Sequence, residues 1–207
     1  MPVPRVGLAP ATVVSAGAAL ADEVGYDSLT MGLLAGRVGV KTPSLYKHVA
    51  SLEALQQGIA NQAKRELADA IARSAVGKSG PDAVRACADT WRRWVLDHPG
   101  RYAATARAPT ADDDEEDRRV ANDGLQVLYD VLAGFDLGHA RKVDAARVLR
   151  SALHGFATLE SAGGFGLPRD VDRSFTFLVD TLIAGLQANL PTTAEDHQED
   201  QPVRHEV

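Results

Sequence analysis

The sequence predicts an all-α protein of about nine helices, with a three-helix N-terminal domain followed by a larger helical domain. Two observations predict this fold class. Apolar residues make up 45% of the 207 residues but aromatic residues only 5%, and the surplus of Ala, Leu and Val favours helices over sheet. The apolar residues also recur at intervals of three and four, which is the spacing of a helix with one buried face.

The N-terminal domain is predicted to begin with a helix over residues 9–24, which a glycine ends as its C-cap. A short second helix follows Thr30, whose hydroxyl is an N-cap candidate, and stops at Gly39.

A third helix is predicted over residues 43–49, with Thr42 as its N-cap and Pro43 at its first position, where the missing N–H of proline has no cost. Ser51 is the N-cap candidate of a fourth, longer helix. The stretch 76–81, which contains glycine and proline, ends that helix.

The larger domain is predicted to contain five more helices, each marked by an apolar stripe between turn residues. The first of these stripes includes Cys87, which is the only cysteine, so the sequence excludes an internal disulfide and a cysteine-based zinc site. The first of these helices begins after Pro81, and the second is short and surrounds Tyr102. The third runs from the acidic segment 112–117 to Gly134, and the last two cover residues 140–162 and 170–190.

The predicted units are a domain over residues 1–52, a domain over 53–190 and a tail over 191–207. The tail is polar and acidic, and we expect it to be disordered because it has too little apolar area to offset its ordering entropy. No apolar run approaches the ~20 residues that span a bilayer, and the first residues lack the pattern of a secretory signal. We therefore expect a cytoplasmic protein without a membrane partner.

The distribution of charge points to DNA although its sum does not. The formal net charge is −6, and phosphate contacts need Lys and Arg. Residues 28–52, however, contain no Asp or Glu and include Arg37, Lys41 and Lys47. This window holds two short helices joined by a turn that starts at Gly39, an arrangement typical of a helix-turn-helix.

The outward groups of the second helix in this pair are ones that a major groove accepts. Hydroxyls reach base edges or phosphates, Pro43 contacts a thymine methyl group, and Lys47 reaches a guanine edge or a phosphate. Tyr46 and His48 are expected to position phosphates, with a solvated surface role as the alternative for Tyr46 and Lys47. The candidate DNA-binding residues are Thr30, Lys41, Thr42, Pro43, Ser44, Tyr46, Lys47, His48 and Ser51.

The segment 29–55, LTMGLLAGRVGVKTPSLYKHVASLEAL, resembles the DNA-binding segment of the tetracycline-repressor (TetR) family. It departs from many relatives at Leu52 and from some at Gly32, where they carry a basic residue. The resemblance implies a repressor that binds operator DNA as a homodimer and releases it when a small-molecule effector binds the C-terminal domain. The residues at the family's motif positions are Ala35, Gly39, Val40, Leu45, Tyr46 and His48.

The larger domain is similar to the branch of this family that carries a Trp-His-Gly motif. The similar segments are HPGRY at 98–102 and LHGFATLE at 153–160, although Leu153 stands in place of the Trp. We expect some aromatic and histidine side chains to line the effector pocket, with core packing as the alternative for each. The candidate ligand-binding residues are Trp91, Trp94, Tyr102 and His154.

The last two predicted helices carry apolar faces, which predicts that they pair with those of a second copy around a twofold axis. The two DNA-reading helices would then lie about one DNA turn (~34 Å) apart on a pseudo-palindromic operator. The candidate interface residues are Leu149, Ala152, Phe156, Phe175, Leu178, Leu182 and Leu186.

No cofactor, metal or catalytic site is predicted. The glycines at 163–166 lack the preceding strand of a dinucleotide turn, and the acidic run 112–117 lacks His or Cys partners for a metal. The alternative function is a helical enzyme or small-molecule carrier whose helix-turn-helix is vestigial. Because the sequence offers no convincing nucleophile paired with a base, we expect a regulator without enzymatic activity.

Overall fold

A computed structural model of the chain describes residues 9–106 and 115–188, and these residues form nine α-helices and no strand. The all-α prediction is confirmed, whereas the predicted disorder of residues 191–207 lies outside the described residues. Within the two described ranges, no helix is long and apolar enough to cross a membrane. The helices are α1 (Pro10–Val24), α2 (Met31–Val38), α3 (Thr42–Leu45), α4 (Leu52–Ala75), α5 (Gly80–Asp97), α6 (Pro99–Ala104), α7 (Glu115–Val131), α8 (His139–Ser161) and α9 (Val171–Gln187).

Local capping sets the boundaries of α2 and α4 as predicted. The Thr30 hydroxyl accepts a hydrogen bond from the Leu33 N–H at 3.2 Å, and the Ser51 hydroxyl accepts one from the Ala54 N–H at 3.1 Å. Gly39 ends α2 in the left-handed conformation, with φ at 71°, which a residue with a Cβ adopts only with strain.

Helix α3 is shorter than predicted, and its N-cap was predicted wrongly. The N-cap is Lys41 rather than Thr42, and the helix ends at Leu45 instead of residue 49. The next residues form turns, closed by a 3.0 Å hydrogen bond from the Val49 N–H to the Leu45 carbonyl. The chain leaves the helical conformation before Ser51, whose extended backbone (φ −156°) caps α4.

Two buried apolar clusters divide the molecule, and α4 belongs to both. The N-terminal cluster joins α1, α2 and α3 to Leu55, Ile59 and Ala60 of α4. The C-terminal cluster begins on the same helix at Ala63 and continues through α5 to α9. The N-terminal packing therefore continues past the predicted boundary at residue 52. A 24-residue helix is about 36 Å long, which allows its two halves to serve separate cores.

The C-terminal cluster has the apolar stripe predicted for α5. Val84, Cys87, Trp91, Trp94 and Val95 are all buried. Burial raises the pKa of the Cys87 thiol to about 12, so this side chain stays protonated and acts as a small apolar residue.

Arg92 ties α5 to the last two helices. Its guanidinium donates to the Glu160 carboxylate on α8 at 2.6 Å and to Asp172 on α9 at 2.7 Å, and lies over the Phe175 ring at 4.8 Å from the centroid. Arg92 and Glu160 side chains are only 16% and 17% exposed, so the charges compensate each other in a partly desolvated position.

Helix α6 connects the two clusters and lies directly against α1. A Cβ added to Gly100 would stand 1.9 Å from the Ala21 carbonyl oxygen, so only glycine fits this contact. The Arg101 backbone N–H donates to the Asp22 carboxylate at 2.7 Å, and the Arg101 guanidinium lies 2.7 Å from the same carboxylate and donates to Glu66 on α4 at 2.9 Å. This six-residue helix thus joins α1 and α4.

Candidate DNA-binding surface and ligand pocket

The segment from Lys41 to Ser51 presents polar groups on an apolar anchor. Leu45 is fully buried and Val49 is 7% exposed, whereas Tyr46 is 51% exposed. The structure therefore brings eight of the nine candidate DNA-binding residues onto one short surface segment, and places Thr30 at the start of α2. Lys41, Pro43 and Lys47 are exposed, and Thr42, Ser44, His48 and Ser51 are half-buried.

The two capping hydroxyls keep a hydrogen-bond donor for a phosphate. Thr30 and Ser51 each use the hydroxyl oxygen to accept from their own helix, which leaves the O–H hydrogen available. A phosphate at either helix N-terminus would also meet unpaired backbone N–H groups.

The charge of this surface comes from lysines rather than from Arg37. Arg37 on α2 forms an ion pair with Glu23 on α1, with a 2.9 Å hydrogen bond between them, and the Arg37 guanidinium lowers the pKa of that carboxyl. Across residues 9–106 and 115–188, Lys41 and Lys47 have no ion-pair partner. These two lysines are therefore the positive groups available to a polyanion.

A cavity of about 460 Å³ lies inside the larger domain, between α4, α5, α6, α7 and α8. Three of the four predicted ligand-binding residues line it, namely Trp91, Tyr102 and His154. Trp94 does not line the cavity, because its ring packs edge-on against His98 (5.1 Å between centroids) and Tyr102 (6.2 Å). For Trp94 the alternative role in core packing therefore applies.

The three lining residues form one hydrogen-bonded chain. The Trp91 indole N–H donates to the Tyr102 hydroxyl oxygen at 3.0 Å, and that hydroxyl lies 2.8 Å from Nδ1 of His154. The indole only donates, whereas the bond between Tyr102 and His154 uses the tyrosine hydrogen if Nδ1 accepts and the imidazole hydrogen if Nδ1 donates. Burial raises the pKa of Tyr102 to about 12, so the hydroxyl stays protonated.

The sequence did not indicate which residues of α4 and α7 line the cavity, nor that cationic side chains lie at it. Leu67 and Ile71 of α4 and Leu128 of α7 line the cavity, together with Arg147 and Arg150 of α8. One available signal was the spacing of Arg147, Arg150 and His154, because residues three and four apart share one face of a helix.

The predicted dimer residues divide into buried and half-buried groups. Leu149 and Phe175 are 1% and 3% exposed and pack in the C-terminal cluster of one copy, and their contact with a second copy stays a prediction. Ala152, Phe156, Leu178, Leu182 and Leu186 are half-buried. Three large apolar side chains of α8 and α9 are exposed, and we call them the outer face: Val148 at 56%, Leu159 at 52% and Phe177 at 74%.

The acidic run contributes a buried carboxylate to the helix packing. Asp117 on α7 is 5% exposed and accepts hydrogen bonds from Gln57 at 2.6 Å and Asn61 at 2.5 Å, both on α4. Among the residues that the structure describes, no cluster of three His, Cys, Asp or Glu side chains is arranged to hold a metal ion. Asp117 therefore joins α4 to α7.

Family models match both halves of the chain. The model for bacterial regulatory proteins of the tetR family matches residues 13–59, and the model for the tetracyclin repressor-like C-terminal domain matches residues 84–182. The first range contains the helix-turn-helix, and the second contains Trp91, Tyr102 and His154 of the cavity.

Whole-chain relatives agree with these matches. An uncharacterised HTH-type transcriptional regulator of Mycobacterium tuberculosis is 35% identical over 85% of this chain and 80% of its own length. Another, from Bacillus subtilis, is 30% identical over 90% of this chain and 96% of its own. The structure of a TetR variant from Acinetobacter baumannii AYE in complex with minocycline superimposes with a TM-score of 0.67 and 27% identity, covering 90% of this chain and all of that one.

The hydrogen-bonded chain at the cavity predicts unequal effects of two Tyr→Phe substitutions. Tyr102→Phe leaves the buried Trp91 N–H without its acceptor and should lower the free energy of unfolding by about 1–3 kcal/mol. Tyr129→Phe changes another lining residue, whose hydroxyl has no hydrogen bond within the described ranges, and should have little effect. Urea denaturation of both variants measures the difference; equal losses of stability would contradict the assignment.

Proposed function

Because this chain belongs to the TetR family of bacterial regulatory proteins, we propose that it is a repressor that binds a pseudo-palindromic operator as a homodimer and releases it when a small molecule occupies the cavity. The observation that carries this proposal is the exposed, acid-free segment around α3, with unpaired Lys41 and Lys47. A cytoplasmic location follows from the need to reach chromosomal DNA. The alternative of an enzyme or carrier has no specific observation in its favour, and the relatives are named as regulators.

In the DNA complex we place α3 in the major groove. Pro43 and the hydroxyls of Thr42 and Ser44 face base edges, while Lys47 reaches a guanine edge or a phosphate. The other candidate residues contact the backbone, which orients the helix without reading sequence. Because few cations are available on this segment, we expect one monomer to bind weakly and the dimer to be needed.

The outer face supports the proposed homodimer. Val148, Ala152 and Leu159 fall on one side of α8, and Phe177 is the largest exposed side chain of α9. Val148 and Leu159 share one side of α8, and large exposed apolar groups on one side of a helix favour an interface. Pairing α8 and α9 with those of a second copy gives a four-helix interface that buries these groups.

We propose that α4 and α6 couple the cavity to the DNA-binding surface. Leu67 and Ile71 on α4 line the cavity, and Tyr102 on α6 follows Arg101, which contacts Asp22 of α1. A ligand that fits best when α6 is displaced would move α1 and misplace α3. The loss of DNA affinity is then limited by the difference in ligand affinity between the two arrangements.

The DNA assignment predicts selective losses of affinity. Lys47→Ala and Tyr46→Ala should each weaken DNA binding by about tenfold. Lys47→Ala should also reduce the slope of the logarithm of the binding constant against the logarithm of salt concentration by about one, because a phosphate contact is lost. Gel retardation on an operator fragment selected from random DNA measures both quantities. Lys78→Ala, an exposed lysine after α4, is the matched control and should bind normally. Unchanged binding by both variants at the α3 segment would refute the assignment.

The outer face predicts a change of oligomeric state. Phe177→Asp places a charge where the proposed interface is dry and should convert a dimer into a monomer at micromolar concentration. Val76→Asp, at a site that is 77% exposed between α4 and α5, is the matched control and should stay dimeric. Sedimentation velocity distinguishes the species. A monomeric wild-type protein, or a Phe177→Asp variant as dimeric as the control, would contradict the proposed interface.

A further inference from the structure

The charged side chains that line the cavity in the described part of the chain are all cationic. Lys64 of α4 and Arg147 and Arg150 of α8 line it, and no Asp or Glu of the described residues does. Arg147 lies 3.8 Å from Asp144 on its own helix, whereas Arg150 has no ion-pair partner among the residues described. Arg150 is therefore the cation of the described lining that has no carboxylate within ion-pair distance among the described residues, and it would attract an anion that enters here.

The cationic and apolar parts of the cavity are separate. Arg147 and Arg150 are exposed side chains at its edge, while Leu67, Ile71 and Leu128 form buried walls. The volume of about 460 Å³ lies within the range of sites for drug-sized molecules. A ligand that satisfies both parts has a charged end and an apolar body.

The hydrogen-bonded chain adds a second feature that favours an anion. The Trp91 N–H donates to the Tyr102 hydroxyl oxygen, and that hydroxyl lies 2.8 Å from Nδ1 of His154. When Tyr102 donates to Nδ1, the imidazole hydrogen stays on Nε2, and when Nδ1 donates, the Tyr102 hydrogen stays free, so either arrangement leaves one donor. Both the cations and this donor match the oxygens of an acid group.

We propose that the effector is an anionic amphiphile, with its acid group near Arg150 and Arg147 and its apolar body against the walls of α4, α5 and α7. This inference rests on the proposed function and names the ligand class of the same cavity. A cationic ligand would meet like charges at the edge, and a neutral one would gain nothing from them.

A matched set of probes with one chain length tests the charge preference. Decanoate, decanol and decyltrimethylammonium are titrated into the full-length protein below their micelle concentrations, with tryptophan emission as the readout, since Trp91 lines the cavity. Decanoate should bind about tenfold more tightly than decanol, as expected for a charge-assisted hydrogen bond at a partly exposed site. Its affinity alone should fall as salt is added, and decyltrimethylammonium should bind most weakly.

Substitution of Arg150 tests whether the preference for decanoate arises at the cavity. Arg150→Gln should weaken decanoate binding by about tenfold and leave decanol binding unchanged. Arg93→Gln removes an exposed arginine of α5 that does not line the cavity and should bind decanoate like the wild type. Equal decanoate affinity in the Arg150→Gln and wild-type proteins would overturn the inference, as would decanol binding as tightly as decanoate or no decanoate binding.

The same titrations separate this inference from the proposed function. Operator binding in gel retardation together with no preference for decanoate overturns the ligand class and leaves the DNA-binding role intact. A clear preference for decanoate without binding to any selected DNA supports the ligand class and overturns the repressor.

Discussion

The contact between α6 and α1 at Gly100 is the constraint on which the arrangement of the two halves depends. The backbones approach so closely that a methyl group would overlap the Ala21 carbonyl, and the Asp22 carboxylate holds Arg101 at the same point. Ala104 of this helix is buried in the N-terminal cluster and Tyr102 in the C-terminal cluster. A short helix thus belongs to both cores, as α4 does, and the cavity and the DNA-binding surface share the elements that support them.

The charges of the chain show how little a net value says about function. The sum is −6, yet residues 28–52 contain no Asp or Glu, and none of the described residues that line the cavity is acidic. Several arginines hold helices together instead, with Arg37 on Glu23, Arg92 on Glu160 and Arg101 between Asp22 and Glu66. Among the described residues, Lys41, Lys47 and Arg150 have no ion-pair partner and are available to other molecules.

Several helix ends could be predicted because they depend on neighbouring residues, whereas the packing between distant helices could not be predicted. Helix caps form contacts within one helical turn, so the residue types of Thr30, Ser51 and Gly39 are enough to predict where α2 and α4 begin and where α2 ends. The contact of Gly100 with α1 and the contact of Asp117 with α4 each join residues that are far apart in sequence. The periodicity of apolar residues does not reveal such contacts. Periodicity places Phe175 and Phe177 on opposite sides of α9 because they are two residues apart, but it could not tell that the side of Phe175 packs in the core of its own chain.

Unfolding of the Gly100→Ala variant, followed by two probes, tests most directly whether the α6 contact unites the two halves. Both tryptophans lie in the C-terminal cluster, so their emission reports that half, while far-ultraviolet ellipticity reports all helices. In the wild type the two urea transitions should coincide. In Gly100→Ala the ellipticity should fall at a lower urea concentration than the tryptophan emission changes, because the N-terminal unit loses its contact with α6. Gly36→Ala, an exposed site with open space around it, should keep them together. Coincident transitions at the wild-type midpoint in Gly100→Ala would contradict the account.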